Sequence, residues 1–478
     1  MQKDIYDAVV VGAGPNGLAA AIVMQQAGLQ VLLVEGKDTV GGGLRSEEPL
    51  LPGCVHDICS AIHPMALQSP FFSSLPLAEH GLRYVQPPVL AAHPLEGREA
   101  IGLYTSLSDT ANQLGIDKQR YMHLFKPLIE MWPDIVGDVL APLHFPQEPI
   151  KMLHFGMKAL RSADSFAGTF KSEALKALWG GMAAHGMLPL TAVTTAAIAL
   201  VLSTAGHTKG WPIAIGGSQH IANALASYFK SLGGDVVTGY YVDALEKLPN
   251  AKAFLFDVGP KQLLQIVGDK FSASYRKQLQ KYRYGMGVFK MDWVLDGPVP
   301  FQSAVCRQAG TVHIGNTYRE IATAERLVWQ GKHPEKPFVL LAQQSLFDSS
   351  RTQSGKQVVW AYCHVPNNST VDMSQAIERQ IERFAPGFRD RIVAKRTMNA
   401  QAYELYNPNY VGGDINGGVM DIRQLFARPT LQRSPYRTSA TGIYICSSST
   451  PPGGGVHGMC GYHAAKVALK DVFKMEIE

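Results

Sequence analysis

The strongest constraint on this chain lies in residues 12–17, Gly12-Ala13-Gly14-Pro15-Asn16-Gly17, because of what flanks them. Before them runs a short apolar stretch, residues 5–11, the pattern of a strand buried on both faces of a parallel sheet. After them comes an Ala-rich, helix-forming stretch, residues 18–27, stopped by Gly28. A second apolar run, residues 31–34, ends on Glu35, 23 positions beyond Gly12. Each part has a physical job. Gly12 permits the tight turn, Gly14 lets backbone approach a pyrophosphate, and Gly17 lets the helix pack closely on the sheet. The helix N-terminus offers N–H groups and a partial positive charge to phosphates. Glu35 is placed to accept hydrogen bonds from a ribose, and an acid there disfavours a 2′-phosphate, so NADP is the less favoured ligand. The segment predicts a dinucleotide-binding βαβ unit.

Two further glycine-marked units follow. Residues 213–217 lead into a helical stretch with Ile221, Leu225, Phe229 and Leu232 on one face; Gly233-Gly234 stop it, and a strand is expected over 236–245. Residues 442–446 predict a strand that enters a Ser/Pro/Gly loop ending in Gly453-Gly454-Gly455, with a final helix over 456–473. Between these units, 289–293, 338–346 and 357–365 alternate or run β-rich, which predicts a half-exposed sheet. Residues 75–209 are richer in helical and Pro-punctuated segments. The expected fold class is α/β: a Rossmann-like domain from 1–74, 210–262 and 436–478, with an α+β substrate domain inserted as 75–209 and 263–435.

Composition narrows the function classes. The 478 residues carry 44 Lys+Arg against 39 Asp+Glu, a net charge of +5, without the basic run that would track phosphates, so nucleic acid is not an expected partner. Six cysteines are too few for a disulfide scaffold in a chain of 478 residues. No secretory-signal pattern is read at the N-terminus, and the longest apolar stretch, 187–204, contains Pro189 and several threonines, short of a spanning helix. A cytoplasmic setting is expected, with peripheral membrane contact left open.

Taken together, VVVGAGPNGLAAA at the N-terminus, Glu35, GGGLRSE at 41–47, the GGDVVTGYYV unit and the terminal PPGGGVHGMCGYHAA resemble the phytoene desaturase superfamily of flavin-dependent oxidoreductases. The likeness is nearest to the branch of pyridine nucleotide-disulfide oxidoreductase domain-containing protein 2 and its bacterial relatives, and covers essentially the whole chain. It implies a glutathione reductase-like FAD domain of phytoene desaturase type. FAD would lie extended, with Gly12, Gly14, Asn16 and Gly17 at the pyrophosphate, Glu35 at the adenosine, the backbone of Val242 at the adenine, and the turn with Gly455, Val456, His457 and Gly458 at the isoalloxazine; Pro15, Gly42 and Gly43 are further cofactor-binding candidates. Many relatives place Arg directly after the glycine doublet, whereas here the order is Gly41-Gly42-Gly43-Leu44-Arg45; Arg45 is either a phosphate contact or a surface arginine.

The implied activity is hydride removal from a C–H bond of an apolar small molecule, with an external electron acceptor such as oxygen or a quinone. Redox-neutral isomerisation, or action through a protein partner, are the alternatives. His457 is the first catalytic candidate because it sits in the turn expected to face the flavin, a backbone-only role being the alternative; His63 and His185 follow, with packing or cavity-wall roles as theirs. Cys54 and Cys59 have the C-x4-C spacing of a redox disulfide, but 11 positions separate Cys54 from Gly43, and two ordinary thiols are the expectation. No metal-ligand spacing is present, so no metal is expected. Lys290 and Asp292 share one face of a strand, either paired or pointing to solvent.

Overall fold

In the computed structural model, which describes residues 5–352, 355–425 and 427–476, the glycine-rich turn sits between its expected strand and helix. Along the chain, the principal elements are β1 (Ile5–Val11), α1 (Pro15–Gln26), β2 (Val31–Val34), β3 (Val89–Leu95), β4 (Arg98–Leu103), α2 (Lys118–Val139), α3 (Pro149–Ala159), α4 (Glu173–Ala184), α5 (Thr195–Lys209), α6 (Gln219–Ser231), β5 (Asp235–Val237), β6 (Asn250–Phe256), β7 (Gly287–Leu295), β8 (Ala309–Ile314), β9 (Val339–Ala342), β10 (Gln357–Val365), β11 (Ile392–Met398), β12 (Ile443–Ile445) and α7 (Met459–Ala468).

Two sheets organise the molecule. The first is parallel throughout, in the order β12-β6-β1-β2-β5, so Val10 lies between Leu33 and Leu255. Most of its Val, Ile and Leu side chains are buried, on both faces, the usual state of a parallel sheet covered by helices; Ile5 at its start is exposed. The second, in the order β11-β7-β10-β9-β8-β3-β4, is antiparallel except where β8 meets β3. The strands of the first sheet come from three separated stretches of chain, and those of the second fall between them.

α1 is buried around nearly its whole circumference, from Asn16 to Gln25, with β1 on one side and α6 and α7 on the other. Two glycines permit this. A β-carbon at Gly17 would sit 1.8 Å from the Gly12 carbonyl oxygen, and one at Gly461 of α7 would sit 1.8 Å from the Asn16 carbonyl oxygen. Alanine fits at neither.

Some expectations shift. The strand foreseen over 236–245 is only Asp235–Val237, and the second neighbour of β1, beside β2, is β6, whose apolar run is interrupted by Lys252. Over 187–204 the helix begins at Thr195, because Met187 and Thr194 adopt left-handed backbone in the preceding loop. The final helix begins at Met459, with Gly458 at a φ of +68° as its cap, and ends in a π-helical turn, Leu469–Phe473. The sheet expected to be half-exposed is not so at β7, where all nine residues are buried. Alternation there separates two packed faces, because Lys290 and Asp292 neutralise each other inside the protein.

One ionic knot ties the two sheets' domains together. The Arg351 guanidinium, fully buried, donates to Asp57 Oδ2 at 2.6 Å, to Asp348 Oδ2 at 3.0 Å and to the Ala214 carbonyl at 2.9 Å. Asp57 Oδ1 also accepts from Ser46 Oγ and from the Ser218 backbone N–H just before α6. Burial pushes the Asp57 carboxyl up, but Arg351 and these donors outweigh it and hold it below the usual carboxylate range. Its stabilisation is therefore present above the ordinary carboxylate pKa and lost as pH falls through the lower folded value. Arg351→Ala should cost about 3–5 kcal/mol near neutral pH, since it strands a buried carboxylate. The loss should shrink as pH falls and Asp57 protonates, and denaturant unfolding at several pH values checks this. A loss independent of pH would show that Asp57 is not stranded.

Candidate functional site

A single continuous cavity runs from the glycine-rich turn to a chamber under the second sheet. At the first end it is lined by Gly12, Gly14, Pro15, Asn16, Glu35, Gly42, Gly43, Arg45, Val242 and Asp257. Loop residues Ser447–Ser449 and Gly454–Val456, with Cys59, Ser60, Tyr403 and Tyr410, form the middle. The chamber is walled by His63, His185, Met187, Leu202, Trp211, Thr311, Leu340, Trp360 and Tyr362.

The turn end presents the start of α1 to the cavity. Gly12 has a φ of +97°, and Gly14 precedes α1 in extended backbone, with no side chain capping the helix and no acid in its first turn. The Asn16 Oδ1 is buried without a partner. Glu35, at the end of β2, is held from two sides: Oε2 accepts from Ala13 N–H, and Oε1 from Lys37 N–H and Arg45 Nη2, each at 2.9 Å. Arg45 is buried and its remaining donors go to the Thr39 and Gly42 carbonyls. It is neither a surface arginine nor bonded to solvent alone; it fixes the 39–45 loop and the Glu35 carboxylate.

Asp257, at the end of β6, escaped the sequence argument. Its Oδ2 accepts the Gly17 N–H at 2.9 Å, and a β-carbon at Gly14 would approach that oxygen to 2.7 Å. Burial, with the like charge of Glu35, outweighs the Gly17 and Gly14 N–H groups and pushes this carboxyl up to about 7. The signal that could have found it is positional: ligands of doubly wound sheets bind at the carboxyl ends of parallel strands.

In the chamber, His63 and His185 both reach the wall. Ser218 Oγ donates to the Ser60 carbonyl, so the His63 Nε2 at 2.9 Å is the donor to Ser218, and Nδ1 is left as an acceptor. His185 Nε2 lies 2.9 Å from His313 Nε2, and His313 Nδ1 is buried without a partner. An orphaned lone pair is cheaper than an orphaned N–H, so His313 donates, and His185 carries its proton on Nδ1. Burial lowers His63 to about 4 and His185 to about 3, and His313 well below its ordinary value, so all three are neutral near pH 7.

His457 lies elsewhere. Its ring is buried outside the cavity wall, Nδ1 accepts the Met459 N–H at 3.0 Å, and its carbonyl accepts from Ser69 Oγ at 2.6 Å. These bonds make it a cap of α7. Gly455 and Val456 line the cavity, whereas Gly17 and Gly458 support it from behind, Gly458 against the Phe72 ring. Cys54 and Cys59 are both free thiols; Cys54 belongs to a separate apolar cluster, and burial raises Cys59 to about 11. Among the described residues no group of three His, Cys, Asp or Glu is placed to hold a metal ion.

Behind the Trp360 ring lies the buried pair. Lys290 Nζ donates to Asp292 Oδ1 at 2.6 Å and to the Asp57 carbonyl at 3.0 Å, 5.8 Å from the ring centroid. Burial pushes the Asp292 carboxyl up, yet Lys290 and His56 hold it below its ordinary value.

A Rossmann-type nucleotide domain facing a mixed-sheet domain across one cavity, with the last βα turn between them, is the fold of the two-domain flavin-dependent oxidoreductases. The NAD(P)-binding Rossmann-like domain model matches residues 10–72. Over its whole length the chain is similar to pyridine nucleotide-disulfide oxidoreductase domain-containing protein 2 of Rattus norvegicus, 23% identical over 99% of this chain and 95% of that protein. Among solved structures it shares its fold with an oxidoreductase from Methanosarcina mazei (TM-score 0.65, 14% identity, 97% of this chain and 99% of that one). It likewise matches putrescine oxidase bound to putrescine (TM-score 0.61, 17% identity, 98% and 99%).

The buried pair yields a stability test. Asp292→Ala should cost about 3–5 kcal/mol by leaving Lys290 uncompensated, while the double variant Lys290→Met/Asp292→Leu should recover most of that loss. Chemical denaturation decides it, and a double variant no more stable than Asp292→Ala would mean the charge is not what is lost.

Proposed function

We propose that the chain binds FAD along this cavity and oxidises a neutral, largely apolar small molecule at a C–H bond. The observation that carries the reading is the distribution of charge. Among the residues lining the cavity, the four charged ones are Glu35, Lys37, Arg45 and Asp257, and all four lie at the turn end. The chamber offers aromatic and aliphatic surface, Thr311, Tyr362 and two neutral histidines. A diamine like that in the putrescine oxidase complex carries ammonium groups, and among the described residues no carboxylate lines this chamber to pair with them.

The residues present fit the cofactor. Gly12, Gly14, Pro15 and Asn16 would hold the diphosphate at the start of α1, Glu35 the ribose, the Val242 backbone the adenine, and Gly455 and Val456 the flavin ring. Bound there, the flavin supplies a hydride acceptor. The chain's contribution is position and exclusion of water. Trp211, Trp360 and Tyr362 shield the reacting C–H bond, and the His185 Nδ1–H can donate to an oxygen of the substrate, fixing its orientation. A neutral His185 withdraws no charge from the reaction, and its partner His313 sets which nitrogen holds the proton. Electrons leave to an external acceptor, oxygen, a quinone or another carrier.

The purified protein, or its apoprotein supplied with FAD, should show flavin absorption in the visible; its absence would refute the cofactor reading. Under anaerobic mixing with a panel of uncharged apolar alcohols and polyenes and with putrescine, a neutral member should bleach the flavin and putrescine should not. Bleaching by putrescine alone would overturn the substrate class. Conversion of a neutral member without bleaching would favour the isomerase alternative.

Asp257 gives the cofactor reading a pH signature. An ionised carboxylate beside the diphosphate is repulsive, so FAD affinity should fall as pH rises through about 7, the value to which this carboxyl is pushed. The slope should approach about tenfold per pH unit, and Asp257→Asn, isosteric and neutral, should abolish it. Equal slopes in both proteins would remove Asp257 from the diphosphate site. Arg45→Met, which releases Glu35, should weaken FAD about tenfold or more, read by fluorescence titration; unchanged affinity would count against the Glu35 assignment.

A further inference from the structure

α3 presents three distinct faces. At about 100° per residue, Phe155, Ala159 and Met152 point inward, and the first two are buried. Ile150, Leu153, Met157 and Leu160 fall within about 80° of one another on the outer side. With Leu143 and Phe145 from the preceding loop, they form an apolar stripe whose members are 47–84% exposed. Lys151, His154, Lys158 and Arg161 occupy a third sector of about 80° beside it. Such a run of exposed large apolar side chains is expected to have an occupant.

We propose that this face docks on an anionic lipid surface, with α3 lying in the interfacial plane. Three observations favour that occupant. The flank is basic: Lys151 is engaged by Asp134 and Glu148, but the Lys158 and Arg161 charges have no acidic partner among the described residues. Apolar and basic sectors side by side on one short helix are the pattern of an in-plane helix, and among the described residues no helix is long and apolar enough to cross a membrane. The end of the face is also bonded to a loop that reaches the chamber. The Leu160 and Arg161 carbonyls accept from the Thr194 and Ala196 N–H groups, and the loop that ends there begins at Met187 in the chamber wall. A neutral apolar substrate drawn from lipid would therefore meet the protein at an element bonded to a loop of its own chamber, a consequence that rests on the substrate reading above.

A second copy of the chain is the rival occupant. A two-fold contact through this stripe would bring Lys158 and Arg161 of each copy toward their like, without a carboxylate row to answer them.

The test uses the full-length protein and sucrose-loaded vesicles of phosphatidylcholine alone or mixed with phosphatidylglycerol. Wild type should co-sediment with the anionic vesicles and much less with the neutral ones. Ile150→Ser/Leu153→Ser/Met157→Ser, at exposed positions outside the cavity, should lower partitioning at least about tenfold while leaving flavin content unchanged. Lys158→Glu/Arg161→Glu should remove the preference for anionic lipid. Wild type that ignores both vesicle types overturns the proposal, and so does a wild-type dimer that the triple serine variant converts to monomer. Vesicle binding is read without turnover, so its failure leaves the flavin reading standing, and failure of that reading leaves the docking result intact.

Discussion

The rest of the molecule depends on how closely α1 can approach its neighbours. Contacts of 1.8 Å would arise from a single β-carbon at Gly17 or Gly461, so those two positions set the depth to which the helix sinks between β1 and α7. That depth aims its N-terminus along the parallel sheet's carboxyl edge, where β1, β2 and β6 all end. Backbone donors gathered at the start of a helix favour negative charge there. It also explains why Asp257 is tolerated there. A carboxyl that accepts the Gly17 N–H satisfies a helix-end donor, and burial lets it do so close to neutrality of charge.

From that edge outward, ionic groups are kept away from the chamber by pairing them behind its walls. Arg351 is consumed by Asp57 and Asp348, Lys290 by Asp292, and Glu325 by His364. Each pair is buried and would be ruinous if broken, yet none appears in the cavity lining. The knot at Asp57 does double duty, since Ser218, which it orients, in turn receives the His63 N–H. A chamber residue is thus positioned by the same contact that joins the domains.

Much of the dinucleotide domain was legible in the chain because its evidence is local: a turn, a helix start and an acid at fixed spacing fall within residues 5–35. Gly12, Gly14 and Glu35 line the cavity as that local spacing expects, while Gly42, Gly43, Arg45, Val242, Gly455 and Val456, which also line it, were reached through the family resemblance. What was not legible is non-local. β6 is interrupted by Lys252, so its apolar pattern is broken although it pairs with β1 at the sheet centre. The alternation of β7 looked like a wet face because sequence cannot reveal that Lys290 and Asp292 meet inside. His457 lies in a loop that does reach the cavity, but its ring turns back to cap α7, a choice made by one backbone N–H that no spacing rule sees. His313, 128 positions from His185, is linked to it only by the fold.

The histidines carry the last step of the argument. His63, His93, His185 and His313 are all lowered by burial, and His313 lies between His185 and His93, so protonating one makes the next harder to protonate. Such a cluster resists becoming charged even when pH falls by two units from neutrality, which a lone imidazole would not do. The chamber therefore keeps a dipolar lining rather than an ionic one over the physiological range. Chemistry that moves a hydride from a C–H bond to a cofactor asks for a dry, oriented pocket of that kind, whereas a reaction that begins by transferring a proton asks for a base poised near pH 7. Asp257, the carboxyl pushed up to about 7, lines the turn end of the cavity rather than the chamber, so on the reading proposed above a pH dependence belongs to cofactor affinity and not to the chamber's lining.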